Sequence, residues 1–496
     1  MNEHLDALAP APVWRHFRTL CNTPRPSGHE AALVAGLEAW ADAQGLAHDR
    51  DAFGNLRIKK PAAAGCENAP GVILQGHLDM VAQANADRPH DFTRDPISTY
   101  VKDGWLHADG TTLGADNGLG VAAALALLES TDVAHGPLEA LFTLEEETSM
   151  GGALALAEGW LEGQLLLNLD SEARGEAYIG CAGGSDVVVD ARLPEAALEA
   201  HERCLDIALT GLKGGHSGMD IHLPLANANR LLVRLLRTLE FAGARLVSYQ
   251  GGTLRNAIPR EAFVRIALPG DEVDAVTAKM ASLEAKLRAE LGQADSGFAL
   301  SAAATAPEDT PAEALTVDAS AMLVAALHVA PCGVERMSAE VEGVVETSNN
   351  LGVLSLEGGR FHLCALVRSL HDSAVAAMID RFRALFELIG ARVKAEHAYP
   401  GWVPNPGSAL LASFIDCHQQ RLGREPAVKV IHAGLECGIL GSKYPQLDMI
   451  SFGPTIRGAH SPDERVDIDS VEEFWTLLKA LAEALGQQQS QSSRQA

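Results

Sequence analysis

The chain has 496 residues, 47% hydrophobic and 21% charged, which is ample material for a buried core and excludes a disordered or fibrous protein. Its length corresponds to about two or three domains. A net charge of −26 repels phosphate backbones and anionic headgroups, so neither nucleic acid nor a membrane surface is expected as a partner.

The longest apolar run, GVAAALALL from Gly120, is far short of the ~20 residues of a membrane span. The opening MNEHLDALAPAP has no basic stretch followed by an apolar one, so no secretory signal is expected. The eight cysteines are scattered without a CxxC pair and are expected as reduced thiols of a cytosolic protein, not as zinc ligands.

Helical periodicity runs through Val13, Phe17 and Leu20 and again through Leu33, Leu37 and Trp40, around the loop CNTPRPSGHE. Strands follow at NLRIKK and at GVILQGHLDM, the latter almost continuously apolar, as in a strand buried on both faces. The Gly-rich turn GTTLGADNGLG feeds a helix at Val121–Glu129, and LEALFTLEEE is another buried strand. A helix ending near Trp160 then leads to the strand QLLLNLD. Strands alternating with helices predict an α/β sandwich around a mostly parallel sheet.

From about Asp186 the texture changes. CLDIALTGLKGGHSG, RLVSYQGGTLRNAIP and EAFVRIALP read as strands, with helices at Leu223–Phe241 and Asp271–Leu291, then an Ala-rich linker, AAATAPEDTPAEA. A second set follows: VEGVVETSNNLGVLSLEGG, RFHLCALVRSL and a helix at Ser373–Ile389. Strand pairs followed by amphipathic helices predict one or two α+β lobes with antiparallel sheets. After Val393 the α/β pattern returns with helices at Ala409–Leu422, Glu436–Gly441 and Val471–Leu485 and strands AVKVIHAG and LDMISFGP. The expected organisation is one domain in two segments, 1–186 and 393–485, interrupted by an insert at 187–392. The polar tail, 486–496, is expected to be disordered.

Candidate ligands fall where predicted buried strands meet loops, the place where open α/β sheets build their sites. His77 and Asp79 end one strand and lie on the same side of the chain, Asp116 lies in GADNG, and Glu145–Glu147 end LFTLEEE. Asp170 ends LLLNLD and His460 follows ISFGPTIRGAH. Each alone has a plain structural reading: a satisfied histidine, a solvated strand end, an Asx turn. Together, two imidazoles and several carboxylates suit divalent zinc, manganese or cobalt in a hydrolytic site.

In this order GHLDM, GADNG, EEETSMGG, NLDSE and GAHSPDE resemble the co-catalytic dizinc peptidases of the aminoacylase and carboxypeptidase G superfamily. GLKGGHSGMDIHL, RNAIPRE, ETSNNLG and HAGLECGIL narrow the resemblance to its aminoacylhistidine dipeptidase branch, also called peptidase D or Xaa-His dipeptidase, over nearly the whole chain. The resemblance implies a zinc-peptidase-like three-layer sandwich interrupted by a large α+β lid and dimerisation domain. It implies two divalent ions, zinc with manganese or cobalt as alternatives: His77 and Asp170 on one, Glu147 and His460 on the other, and Asp116 bridging. Asp79 would orient His77, and Glu146 would be the general base; Glu145 as base with Glu146 as ligand is the other register. His216 would stabilise the oxyanion, in cis or from a partner subunit. Asn256, Asn350 and Arg368 would hold the substrate's amide and carboxylate, and Glu436 would either receive its free amine or complement a helix dipole. The implied activity is cytoplasmic hydrolysis of unblocked dipeptides, Xaa-His favoured, by a homodimer. A related tripeptidase, carboxypeptidase or N-deacylase is the alternative, and a scaffold that has kept only the fold is disfavoured by the intact ligand set.

Overall fold

The computed structural model describes residues 1–239 and 243–488. The chain divides into two compact units. The first comprises Met1–Gly180, Pro404–Val430 and the described part of Leu435–Ala496; the second comprises Cys181–Val403 with Ile431–Gly434.

The first unit is built on an eight-stranded sheet among the described residues. Its four central strands, in spatial order Leu138–Thr143, Val72–His77, Leu165–Asn168 and Asp448–Ser451, are parallel. The sheet as a whole is mixed, because Ala47–Arg50 and Leu56–Lys60 extend one side antiparallel and Glu176–Cys181 begins the other the same way. Every residue of Val72–His77 and Leu138–Thr143 is buried, which is why both read as unbroken apolar runs.

Alternation along Val72–His77 divides the strand between two helical layers. Val72 and Leu74 join the core with Ala115–Glu129, and a Cβ on Gly76 would stand 2.3 Å from Asn117 Oδ1 of that helix. Ile73, Gln75 and His77 face the other way, where Gln75 bonds Glu436 at the start of the helix Glu436–Lys443. The result is a three-layer α/β/α sandwich. Helix Ala115–Glu129 is buried on every side from Asn117 to Leu128, which accounts for its lack of a polar face. It begins earlier than its apolar run, with Asp116 and Asn117 departing from helical geometry inside the first turn.

The second unit centres on a nine-stranded sheet among the described residues, antiparallel at every pairing. The two strand sets expected from the sequence share this one sheet, joined where Arg245–Gly251 pairs with Val345–Glu357. The expected Ala-rich linker is partly structure: Ala299–Ala304 pairs with Glu202–Thr210 and Glu313–Leu315 with Glu195–Ala197. The helix expected from Leu223 starts at Ala228 instead, because Pro224 lies in the preceding loop and Asn227 caps the helix by accepting the Arg230 N–H at 3.2 Å. Its expected end at Phe241 lies outside the described residues, as does 489–496 of the tail. The last helix, Ile468–Gly486, runs to the start of that tail. No helix among the described residues is long and apolar enough to cross a membrane.

Candidate metal centre

Because the four central strands are parallel, their carboxyl ends share one edge of the sheet, and each delivers a polar residue there. His77 is the last residue of its strand. Glu146 follows Leu138–Thr143 by a short turn, with Glu145 in the left-handed region at φ 55°. Asp170 lies two residues beyond Leu165–Asn168, and the segment after Asp448–Ser451 carries His460, itself at φ 64°. Two ordinary L-residues held at positive φ on the rim of one sheet are a local cost that the surrounding bonds sustain. Asp116 comes from the first turn of Ala115–Glu129.

These side chains converge. Asp116 Oδ1 lies 3.2 Å from His77 Nε2, and Asp116 Oδ2 lies 3.3 Å from His460 Nε2. Each imidazole nitrogen has a second carboxylate of its own: Asp170 Oδ1 at 3.5 Å from His77 Nε2, and Glu147 Oε2 at 3.0 Å from His460 Nε2. His77, Asp116 and Glu147 each offer a ligand atom within 4.8 Å of the others. The set thus consists of two imidazoles, each with its own carboxylate, sharing a third carboxylate that has one oxygen turned to each.

The buried imidazoles and carboxylates shift one another's proton affinities strongly. Burial alone would lower the basicity of His77, but Asp170, Asp116 and Asp79 raise it well above its ordinary value. Bonds to Asp116 and Glu147 raise His460 to about 11. Burial would raise Asp116, yet the two imidazoles hold it well below the carboxylate range, while burial pushes Asp170 up to about 7 against the pull of His77. Two buried carboxylate oxygens, Asp170 Oδ1 and Glu147 Oε1, accept no hydrogen bond. Buried acceptors left without donors beside two nitrogen ligands fit a bound divalent cation, and the all-N/O donor set suits zinc, manganese or cobalt.

Asp79 is fully buried and does more than face His77. Its Oδ1 accepts the Glu146 N–H at 3.0 Å, and its Oδ2 accepts the Glu147 N–H at 3.1 Å and the Ser27 hydroxyl at 2.7 Å. His77 Nδ1 stands 3.4 Å from Asp79 Oδ1 and 3.2 Å from the Asp79 carbonyl. Glu146 is raised well above the usual carboxylate range by burial, opposed by His77 and reinforced by Asp170, Glu436 and Glu147. Glu145 points elsewhere: its N–H donates to Glu30, and its Oε2 lies beside Gly151. Glu436 is fully buried at the first position of its helix; its Oε2 accepts from Gln75 at 2.5 Å and Thr143 at 2.7 Å, while Oε1 accepts nothing.

The four remaining expected residues belong to the second unit. His216 Nδ1 accepts the N–H groups of Gly218 at 3.2 Å and Met219 at 2.9 Å, so the neutral ring carries its proton on Nε2. Burial and then Arg368 lower its basicity, which favours that neutral form. The buried Arg368 donates from Nη1 to Tyr399 at 2.8 Å and leaves Nε without an acceptor. Asn256 is exposed. Asn350 departs from its expected use: both amide hydrogens go to the carbonyls of Arg255 and Ala257, and its Oδ1 accepts from Asn227. With its polar atoms committed inside the protein, it holds the Asn256 loop.

Arg25 and Glu464, both buried, bond the backbone on either side of the ligand cluster and were not singled out from the sequence. Both stand inside motifs quoted above, PRPSG and HSPDE; Arg25, a lone charge between two prolines, carried a signal, whereas Glu464 sits between Asp463 and Arg465 in a run of charges.

Residues 73–484 match the family described as peptidase family M20/M25/M40. The chain is 45% identical to the cytosol non-specific dipeptidase of Escherichia coli K12 over 478 residues, 96% of this chain and 98% of that protein. The crystal structure of an aminoacylhistidine dipeptidase from Vibrio alginolyticus superposes with a TM-score of 0.91 at 46% identity, covering 97% of this chain and 98% of that one. A tripeptidase from Staphylococcus aureus shares the fold, with a TM-score of 0.56 at 15% identity over 97% of this chain and all of that one. The chain therefore belongs to peptidase family M20/M25/M40.

Proposed function

From this membership, we propose that the protein is a cytoplasmic metal-dependent dipeptidase that hydrolyses unblocked dipeptides, with Xaa-His favoured. The observation that carries the reading is Asp116, whose two oxygens are divided between His77 and His460, each imidazole with its own carboxylate. In this reading His77 and Asp170 hold one divalent cation, Glu147 and His460 the second, and Asp116 both; zinc is the proposed metal. Divalent cations held there would supply Lewis acidity, lowering the pKa of the attacking water and polarising the scissile carbonyl.

Glu146 is the general base. Its burial among carboxylates raises its affinity for the proton it takes from the attacking water and returns to the departing amine. Asp79 holds the turn that carries Glu146 and Glu147 through their N–H groups, so it orients base and ligand together. His216, with Nδ1 occupied, offers Nε2–H to the developing oxyanion, in cis or as His216 of the partner subunit in a homodimer. The second unit serves as lid and dimerisation domain, where Arg368 and Asn256 receive the substrate carboxylate.

Glu436 supports a preference for a free amine. An unpartnered, fully buried carboxylate oxygen offers an α-ammonium a charge-assisted hydrogen bond stronger than the neutral one that the single N–H of an acetylated nitrogen could make. The similarity to proteins named cytosol non-specific dipeptidase and aminoacylhistidine dipeptidase supports the same substrate class. The test is release of histidine from β-Ala-His compared with cleavage of tripeptides and N-acetylated amino acids. Dipeptides should be turned over fastest; preference for the acetylated compounds would replace the dipeptidase reading with an N-deacylase.

A further inference from the structure

Arg25 and Glu464 lie on opposite sides of the loop that delivers Asp116. One Glu464 oxygen accepts the N–H groups of Leu113 at 2.7 Å and Gly114 at 2.9 Å, and the other accepts those of Ala115 at 2.8 Å and Asp116 at 3.2 Å. Four successive backbone donors thus converge on one buried carboxylate. Arg25 meets carbonyls instead: Nη1 donates to Leu78 and Asp79, each at 2.8 Å, and Nη2 to Gly114 at 2.5 Å. Both side chains are only 2% exposed, so these bonds face little competition from water.

What the two residues connect matters more than their strength. Arg25 fastens the Asp116 loop to the end of the strand that carries His77, and Glu464 fastens it to the segment that carries His460, four residues upstream. Three segments far apart in sequence are thereby held in one register. Glycine makes room for this: a Cβ on Gly114 would stand 2.6 Å from Arg25 Nη2, and one on Gly118 2.7 Å from the same atom. The two glycines of GADNG thus let the guanidinium lie against the backbone.

We infer that Arg25 and Glu464 are positioning residues that set the Asp116 carboxylate between His77 and His460, an inference that rests on the reading of Asp116 as the shared metal ligand. A simple helix-capping role for Glu464 would affect stability alone. A positioning role also alters metal affinity in molecules that remain folded, because Asp116 could no longer divide its oxygens correctly. Glu464→Gln is nearly isosteric but discriminating. A carboxylate only accepts, whereas the amide turns an NH2 group toward two of the four backbone donors.

The experiment is zinc binding by competition against a chromophoric chelator for the wild type, E464Q, E464D and R25K, with near-UV circular dichroism of each at saturating zinc. Loss of zinc affinity by about 10- to 100-fold in E464Q and R25K is expected, with a smaller loss in E464D, which keeps the charge but is one methylene shorter. At saturating zinc kcat should fall while KM stays near the wild-type value. Should E464Q not fold, E464D and R25K carry the same comparison. Wild-type zinc affinity in the folded variants, whatever their melting temperatures, overturns the positioning role. A wild type that binds no zinc overturns the underlying reading of Asp116 instead.

Discussion

Replacing Asp79 by Asn keeps the shape of the side chain and removes its charge. The carboxylate accepts the N–H groups of Glu146 and Glu147, one on each oxygen, together with the Ser27 hydroxyl. Whichever way the amide is turned, its NH2 opposes one of those N–H groups. Hydrogen bonds to a charged group contribute about 1.5–3 kcal/mol each, and the opposed donor adds a desolvation cost, so a loss of about 2–4 kcal/mol follows. An independent route agrees. Burial would raise this carboxyl, but His77 and the donors hold it down to about 2 from 3.8, which corresponds to ~2.5 kcal/mol. Because the folded value is the lower one, this stability is present above pH 3.8 and is lost as pH falls toward 2. The assay is urea unfolding of the metal-free protein at pH 7, paired with kcat of the metal-loaded form. Displacing the Glu146 turn by about 1 Å should lower kcat roughly 100-fold. A stability change below ~0.5 kcal/mol with unchanged kcat would refute the reasoning.

Glu146→Gln should lower kcat by about 10²- to 10⁴-fold with metal content retained, measured by turnover and metal analysis of one preparation; if Glu145→Gln does this instead, the base has been assigned one residue too far along. His216→Ala should cost about 10²- to 10³-fold in kcat with little change in KM, and a change confined to KM would exclude an oxyanion role. His432 bonds Ser348 at 2.8 Å, and burial, then Arg368, lowers it to about 3 from 6.5. The folded protein therefore resists protonation that the unfolded chain accepts, so stability is full above pH 6.5 and is lost as pH falls toward 3. The loss is about 2 kcal/mol between pH 6.5 and 5. Unfolding of His432→Gln across that range should lack this component; identical slopes for variant and wild type would refute it.

The catalytic scaffold was legible because buried parallel strands write themselves as unbroken apolar runs, and their ends are marked where polarity begins, at His77, Glu145 and Asp170. The helix at Ala409–Leu422 was equally clear, with Ser408 capping it and Gly423 beyond it. Adjacent identical residues defeated periodicity: only the left-handed backbone at Glu145 separates it from Glu146 and Glu147. The expected helix near Trp160 ends at Ala155, and Trp160 instead donates its N–H to the Tyr444 hydroxyl, a contact across 284 residues. Ala299–Ala304 lacked strand composition and is held by its neighbour in the sheet. Asn350 illustrates the limit at the site, since an asparagine in a family motif looks the same whether it faces a substrate or bonds Arg255, Ala257 and Asn227. Arg25 and Glu464 escaped notice because their partners are backbone atoms, which no side-chain pattern records.

The central claim is a pair of cations sharing Asp116, and metal-to-protein stoichiometry after zinc loading and desalting tests it most directly. The wild type should retain two zinc ions per chain, His77→Ala and His460→Ala about one each, and Asp116→Ala fewer than either. A wild type that retains one ion or none, or an Asp116→Ala variant that still retains two, would contradict it.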